Sequence, residues 1–198
     1  YEISECLVGS EMCIRDRFAG RPVRFAGKRR IVALEGEAYF VVSKNSRRPF
    51  IVNLNGPAVH VLGTSFDVQA YPENKDITVC LDEGRVNLTL ASDKKYPLKP
   101  GEKLVYNKES EHCTIIRNMD AQISSLWKKN VIAFKDAPLS EVIKVLNRWY
   151  DVGFKIEDAA VGMYTLRLRQ RIRFSKKFFR IWRRLRRYGL NIRRLKRK

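Results

Sequence analysis

The sequence predicts a mainly β protein: an all-β domain of sandwich or solenoid-like form, followed by a small, incomplete α/β unit. Three observations carry that reading. Apolar and polar residues alternate from Ile31 to Ile116, the period of half-buried strands. Turn signals cut this ribbon at near-regular intervals, at Glu35-Gly36, Leu62-Gly63-Thr64, Glu83-Gly84 and Pro100-Gly101. Beyond Trp127 the period changes once to that of a helix and then returns to alternation.

Taken in order, Ile31–Leu34 runs into the Glu35-Gly36 turn, where a glycine supplies the positive φ of a tight reversal. Ala38–Val42 follows, and Arg47-Arg48-Pro49 breaks the chain before Phe50–Val52. Val59 and Val61 share one face, and Gly63-Thr64-Ser65 marks a bend or bulge in preference to an anion nest. Phe66, Val68 and Ala70 point to one side, Asp67, Gln69 and Tyr71 to the other. Ile77, Val79 and Leu81 turn through Asp82-Glu83-Gly84 into Val86, Leu88 and Leu90, the clearest hairpin in the chain. Leu98-Lys99-Pro100-Gly101-Glu102 feeds Leu104–Tyr106, and Cys113–Ile116 closes the set.

The second unit opens with a strand at Val131–Phe134. Asp136 has the chemistry of a helix N-cap and Pro138 that of a first-turn residue. Leu139, Val142, Ile143 and Leu146 form a helical stripe, continued by Trp149 and Tyr150, and Val152, Phe154 and Ile156 alternate as the next strand. The resulting division is a terminal arm over 1–17, the all-β domain over 18–120, a linker over 121–129, the α/β half-unit over 130–163 and a basic tail over 164–198.

Charge is unevenly placed. The whole chain carries +19, and residues 164–198 hold twelve Arg and four Lys with no acid, leaving +3 for the rest. Phe174, Phe178, Ile181, Trp182 and Leu185 recur through that tail at helical spacing. Taken as written, it is a basic amphipathic helix suited to nucleic acid or an anionic membrane, with binding that weakens steeply in salt. A frameshifted reading of acidic codons accounts for the same abrupt change. At the other end, Cys6–Arg17 resembles translated sequencing-adapter DNA and shows no strand alternation.

No reactive constellation is legible. Cys6, Cys13, Cys80 and Cys113 form no C-x-x-C pair, and no histidine stands at metal-ligand spacing, so neither a metal nor a cofactor is expected. Cys80 and Cys113 fall within strands and read as small buried hydrophobes. His60 reads as half-exposed on a strand and His112 as a solvated turn residue. Zinc-protease, P-loop and nucleophile-elbow motifs are missing, which leaves no catalytic residue to name. A carbohydrate platform would need Tyr39, Tyr71 and Tyr106, which are scattered in sequence.

Five separated motifs, in order, carry a resemblance. Leu34-Glu-Gly-Glu-Ala-Tyr-Phe40, Arg48-Pro-Phe-Ile-Val52, Val61-Leu-Gly-Thr-Ser-Phe66, Val79-x-Leu81-x-Glu83-Gly84-x-Val86 and Leu98-Lys-Pro-Gly-Glu102 resemble the FecR family of anti-sigma regulators, in its Bacteroidetes-type form. The likeness spans roughly 22–158, and all five motifs serve turns and packing. It implies a non-enzymatic regulator in the periplasm, part of a single-pass inner-membrane protein. Its implied partners are the signalling domain of a TonB-dependent outer-membrane receptor and, through a missing N-terminal region, an extracytoplasmic-function sigma factor. The implied cargo is iron or a glycan. The α/β unit resembles one half of a secretin/TonB short N-terminal domain, whose second half would begin near Tyr164-Thr165. Trp149, Tyr150 and Phe154 are the candidate partner-binding anchors, with packing beneath the helix as the alternative role for the same side chains.

Overall fold

The computed structural model describes residues 10–14, 29–117, 126–129, 131–150 and 164–171. The chain divides into two compact units, 1–125 and 126–198.

The first unit is a two-sheet sandwich. Its six-stranded sheet contains β1 (Ser10–Ile14), β3 (Gly36–Val42), β6 (Thr64–Ala70), β7 (Asp76–Glu83), β10 (Lys103–Asn107) and β11 (Cys113–Ile116), in that spatial order. Its five-stranded sheet runs β2 (Arg30–Ala33), β4 (Phe50–Asn53), β5 (Ala58–Val61), β8 (Val86–Thr89) and β9 (Lys95–Leu98). Every pairing in the two sheets is antiparallel except β2 with β4. Of the two forms expected, sandwich and solenoid-like, the sandwich is the one formed.

Alternation built this core. Ala38, Phe40 and Val42, then Phe66, Val68 and Ala70, then Ile77, Val79 and Leu81 point inward from one sheet. Val52, Val59, Val61, Val86 and Leu88 meet them from the other. At the centre, the Phe40 ring stacks on Phe66 at 5.1 Å and tilts against Phe50 at 5.7 Å, so phenylalanines from three motifs converge across the two sheets. Tyr96 on β9 and Cys113 and Ile115 on β11 pack against the core where both strands are sheet ends.

The turns do what their residues predict. Gly36, Gly84 and Gly101 adopt φ of 115°, 92° and 81°. Gly63 serves close approach: a Cβ there would meet the Lys44 Cα at 2.6 Å. The bulge expected nearby appears as a register shift between Ser65 and Phe66 in the β6–β7 pairing.

Three features depart from the sequence reading. Ser10–Ile14 lies in the arm set aside from fold reasoning, yet it forms strand β1, paired antiparallel with β3 from Ser10↔Val42 to Ile14↔Ala38. Main-chain pairing needs no alternating code, which is why pattern did not reveal it. Arg30 is buried, with its Nε donating to the Arg48 carbonyl at 3.1 Å and its guanidinium 5.6 Å from the Phe50 ring centre. Burial, and secondarily the charge of Arg48, lower its pKa. Tyr71, read as facing away from Phe66, Val68 and Ala70, is buried, and so is Tyr39. The Tyr39 hydroxyl donates to Asp82 at 2.8 Å and the Tyr71 hydroxyl to Glu37 at 3.1 Å. With Tyr106 also buried, these tyrosines do not make an exposed carbohydrate platform.

His60 gives the unit a pH dependence. Burial, and then the charges of Arg29 and Lys95, lower its pKa below the ordinary value of 6.5. Above that value the ring is neutral folded and unfolded, with no penalty. As pH falls through it, the unfolded chain takes the proton more readily and stability drops until the folded pKa is reached. Denaturant midpoints measured between pH 7.5 and 5 should fall in the parent, and His60→Gln should flatten that part of the decline.

Candidate functional site

The second unit begins with a 3₁₀ turn at Leu126–Lys129. Strand β12 (Val131–Pro138) then pairs antiparallel with β13 (Thr165–Arg171), and helix α1 (Leu139–Tyr150) leaves directly from the end of β12. The helix buries Leu139, Val142, Ile143 and Leu146, the stripe read from the sequence. Its exposed face carries Ser140, Glu141 and Lys144, with Glu141 and Lys144 paired at 2.8 Å one turn apart. The Leu139 amide donates to the Tyr164 carbonyl at 2.8 Å, which ties the helix start to the approach of β13.

Asp136 has a different role from the N-cap expected of it. Strand β12 runs on to Pro138, and Asp136 lies inside it at φ 52°, where the register shifts between Phe134 and Ala137. The bulge bends the strand just before the helix and turns Asp136 toward β13. Arg167 donates two hydrogen bonds to the carboxylate, from Nε at 3.2 Å and Nη2 at 2.7 Å, which raise the guanidinium pKa. Both side chains are more than half exposed. Asp tolerates the left-handed region better than branched residues do. Asp136→Val should therefore cost about 1–2 kcal/mol through backbone strain, and Asp136→Asn clearly less, in paired thermal melts of the full chain.

Of the predicted anchors, Trp149 and Tyr150 form the last two residues of α1. Their side chains, and all of Phe154 with the strand expected over Val152–Ile156, lie outside the described residues. Thr165–Arg171 is strand β13, at the place near Tyr164-Thr165 where the second half of the α/β domain was expected to begin. The alternation of Leu166 and Leu168 with Arg167, Arg169 and Arg171 signals a strand, and the density of arginines obscured it. Phe174 to Leu185 lie outside the described residues.

Elsewhere, a cavity of about 170 Å³ opens in the first unit beside Leu34, Leu54, Ala70 and Pro72, with Glu35 and Lys108 at its lining. The Lys108 ammonium donates to the Tyr71 and Pro72 carbonyls at 2.7 and 3.2 Å. Among the described residues no group of three His, Cys, Asp or Glu side chains could hold a metal ion. Cys80 is buried and Cys113 half-buried. Among the described helices none is long and apolar enough to cross a membrane.

A two-sheet sandwich joined to a strand–helix–strand unit of this kind defines a β-rich, two-unit protein. The FecR protein family matches over residues 18–95 and the FecR C-terminal family over residues 131–176, and the chain belongs to the FecR family. That family comprises anti-sigma regulators and is not a class of enzymes. Two crystal structures of a protein assigned as an anti-sigma factor, from Parabacteroides distasonis ATCC 8503, are similar in fold. The structure at 1.65 Å resolution gives a TM-score of 0.82 at 25% identity, covering 100% of this chain and 92% of that one. The structure at 2.50 Å gives 0.78 at 25% identity, over 100% and 91%. No curated protein matches the chain.

Proposed function

We propose that this chain is the periplasmic, signal-transducing portion of an anti-sigma regulator. In this reading it takes a signal from a TonB-dependent outer-membrane receptor and controls an extracytoplasmic-function sigma factor. The sandwich is the scaffold and the second unit receives the receptor's signalling domain. The observation that carries the reading is the joint match of both FecR families, in order, to the two compact units.

The division of labour has a physical basis. The first unit spends its motif residues on its own core and turns, as the Phe40, Phe50 and Phe66 cluster illustrates. Among the described residues, the second unit has a two-stranded sheet beside a short amphipathic helix. Extended partners recognise sheet edges through main-chain hydrogen bonds, with apolar anchors supplying specificity. Trp149, Tyr150 and Phe154 are the anchors in this reading, and the sigma factor is engaged through an N-terminal region of the parent protein. The regulator belongs to an inner-membrane protein, and its cargo class is iron chelates or glycans.

The test is a pull-down with a receptor signalling domain as bait and the full chain as prey. Capture should be lost in the Trp149→Ala/Tyr150→Ala/Phe154→Ala variant while its circular dichroism stays as in the parent. Undiminished capture by a folded triple variant would remove these residues as anchors, and failure of the parent chain to bind would remove the receptor.

A further inference from the structure

The cavity in the first unit is assembled where turns of both sheets meet. The β2–β3 turn supplies Leu34 and Glu35, and the β4–β5 turn supplies Leu54 and Asn55. Ala70 comes from the end of β6, Pro72 from the loop after it, and Lys108 from the β10–β11 turn. Leu34, Leu54 and Ala70 belong to the core, so the floor is apolar, whereas Glu35, Asn55 and Pro72 are exposed around it. An apolar cavity of about 150 Å³ takes up benzene. The space here, about 170 Å³, suits an aliphatic group of isobutyl size.

Two opposite charges line this cavity without meeting. The Lys108 amide donates to the Lys75 carbonyl at 2.9 Å, and its ammonium donates to the Tyr71 and Pro72 carbonyls at 2.7 and 3.2 Å. An ammonium has three N–H donors, so one is left, and carbonyls do not neutralise its charge. The Glu35 carboxylate joins no ion pair or hydrogen bond among the described residues. Lys108 cannot swing to Glu35 without giving up its two carbonyls. A fixed cation, an unengaged anion and an apolar floor therefore share one opening. A ligand that answers all three carries a carboxylate, an ammonium and one apolar arm.

We propose that this cavity binds a free aliphatic amino acid of leucine size, its carboxylate on the Lys108 ammonium, its ammonium on the Glu35 carboxylate and its side chain over Leu34, Leu54 and Ala70. The site adds a small-molecule input to the unit described above as a scaffold. It goes beyond the function proposed for the chain and does not depend on the receptor.

The experiment titrates the full chain with leucine up to millimolar concentration and follows backbone amide shifts. Residues 34–35, 54–55, 70–72 and 108 should move together on one saturating curve. Glycine, which lacks the apolar arm, and leucinamide, which lacks the carboxylate, should each bind at least tenfold more weakly. Glu35→Gln should weaken leucine about threefold, the modest factor of an exposed ion pair, and leave isocaproate, which lacks the ammonium, unchanged. Lys108→Met should weaken both leucine and isocaproate about tenfold. Should Lys108→Met disturb the fold, leucinamide on the unaltered chain tests the same contact. Silence of these amides, glycine binding as well as leucine, or equal loss of leucine and isocaproate in Glu35→Gln would overturn the proposal.

Discussion

Phe40→Ala should destabilise the sandwich by about 3–5 kcal/mol, the range for truncating a buried phenylalanine. The ring is 1% exposed and touches both Phe66 in its own sheet and Phe50 in the opposite one, so its loss opens a void that neither sheet can close by itself. Domains of this kind hold roughly 5–15 kcal/mol in total, so the variant stands near the edge of folding. Phe40→Leu keeps most of the volume and should cost less than half as much. Urea denaturation followed by tryptophan-independent circular dichroism measures both, and a loss under 1 kcal/mol for the alanine variant would show that the core is not centred on these rings.

Gly84→Val should cost about 3 kcal/mol or more, combining left-handed strain of roughly 1–2 kcal/mol with overpacking of about 1–3 kcal/mol. Gly84 stands at φ 92°, and an added Cβ would meet the Gly63 carbonyl oxygen at 2.6 Å and Thr64 at 3.0 Å. Those neighbours are backbone and cannot swing aside, and the Thr64 hydroxyl is itself held by the Arg85 carbonyl at 2.9 Å. Gly101 separates strain from crowding. Its φ is 81°, yet nothing lies within 4 Å of the position of its Cβ. Gly101→Ala should therefore cost only about 1 kcal/mol, the strain contribution. Equal losses at the two positions would mean that the contact between the β5–β6 and β7–β8 turns does not matter.

Most of the sandwich was legible because each signal was local. Alternation fixed which residues of β6 and β7 face the core, and Glu-Gly turns fixed where strands reverse. Elements formed by tertiary context were not. Strand β1 pairs with a partner strand distant in sequence, Arg30 is buried by carbonyls from the 43–48 segment, and Tyr39 and Tyr71 found acceptors on other strands of the same sheet. In the second unit, the helical stripe was readable to the residue, whereas Asp136 was misassigned because a cap and a bulge favour the same residue type. The Arg167 partnership across the strand pair has no signature within either segment. For the candidate site, sequence supplied the unit and its helix, and the structure supplied the strand pair and the bulge that join them.

The central claim is that partner contact falls on the strand–helix–strand unit and not on the sandwich. Amide chemical-shift mapping of the full chain, titrated with a receptor signalling domain, tests it most directly. Shifts should gather in β12, α1 and β13 and leave the core strands β6, β7 and β10 unchanged. Shifts concentrated on the sandwich, with 131–171 silent, would contradict it.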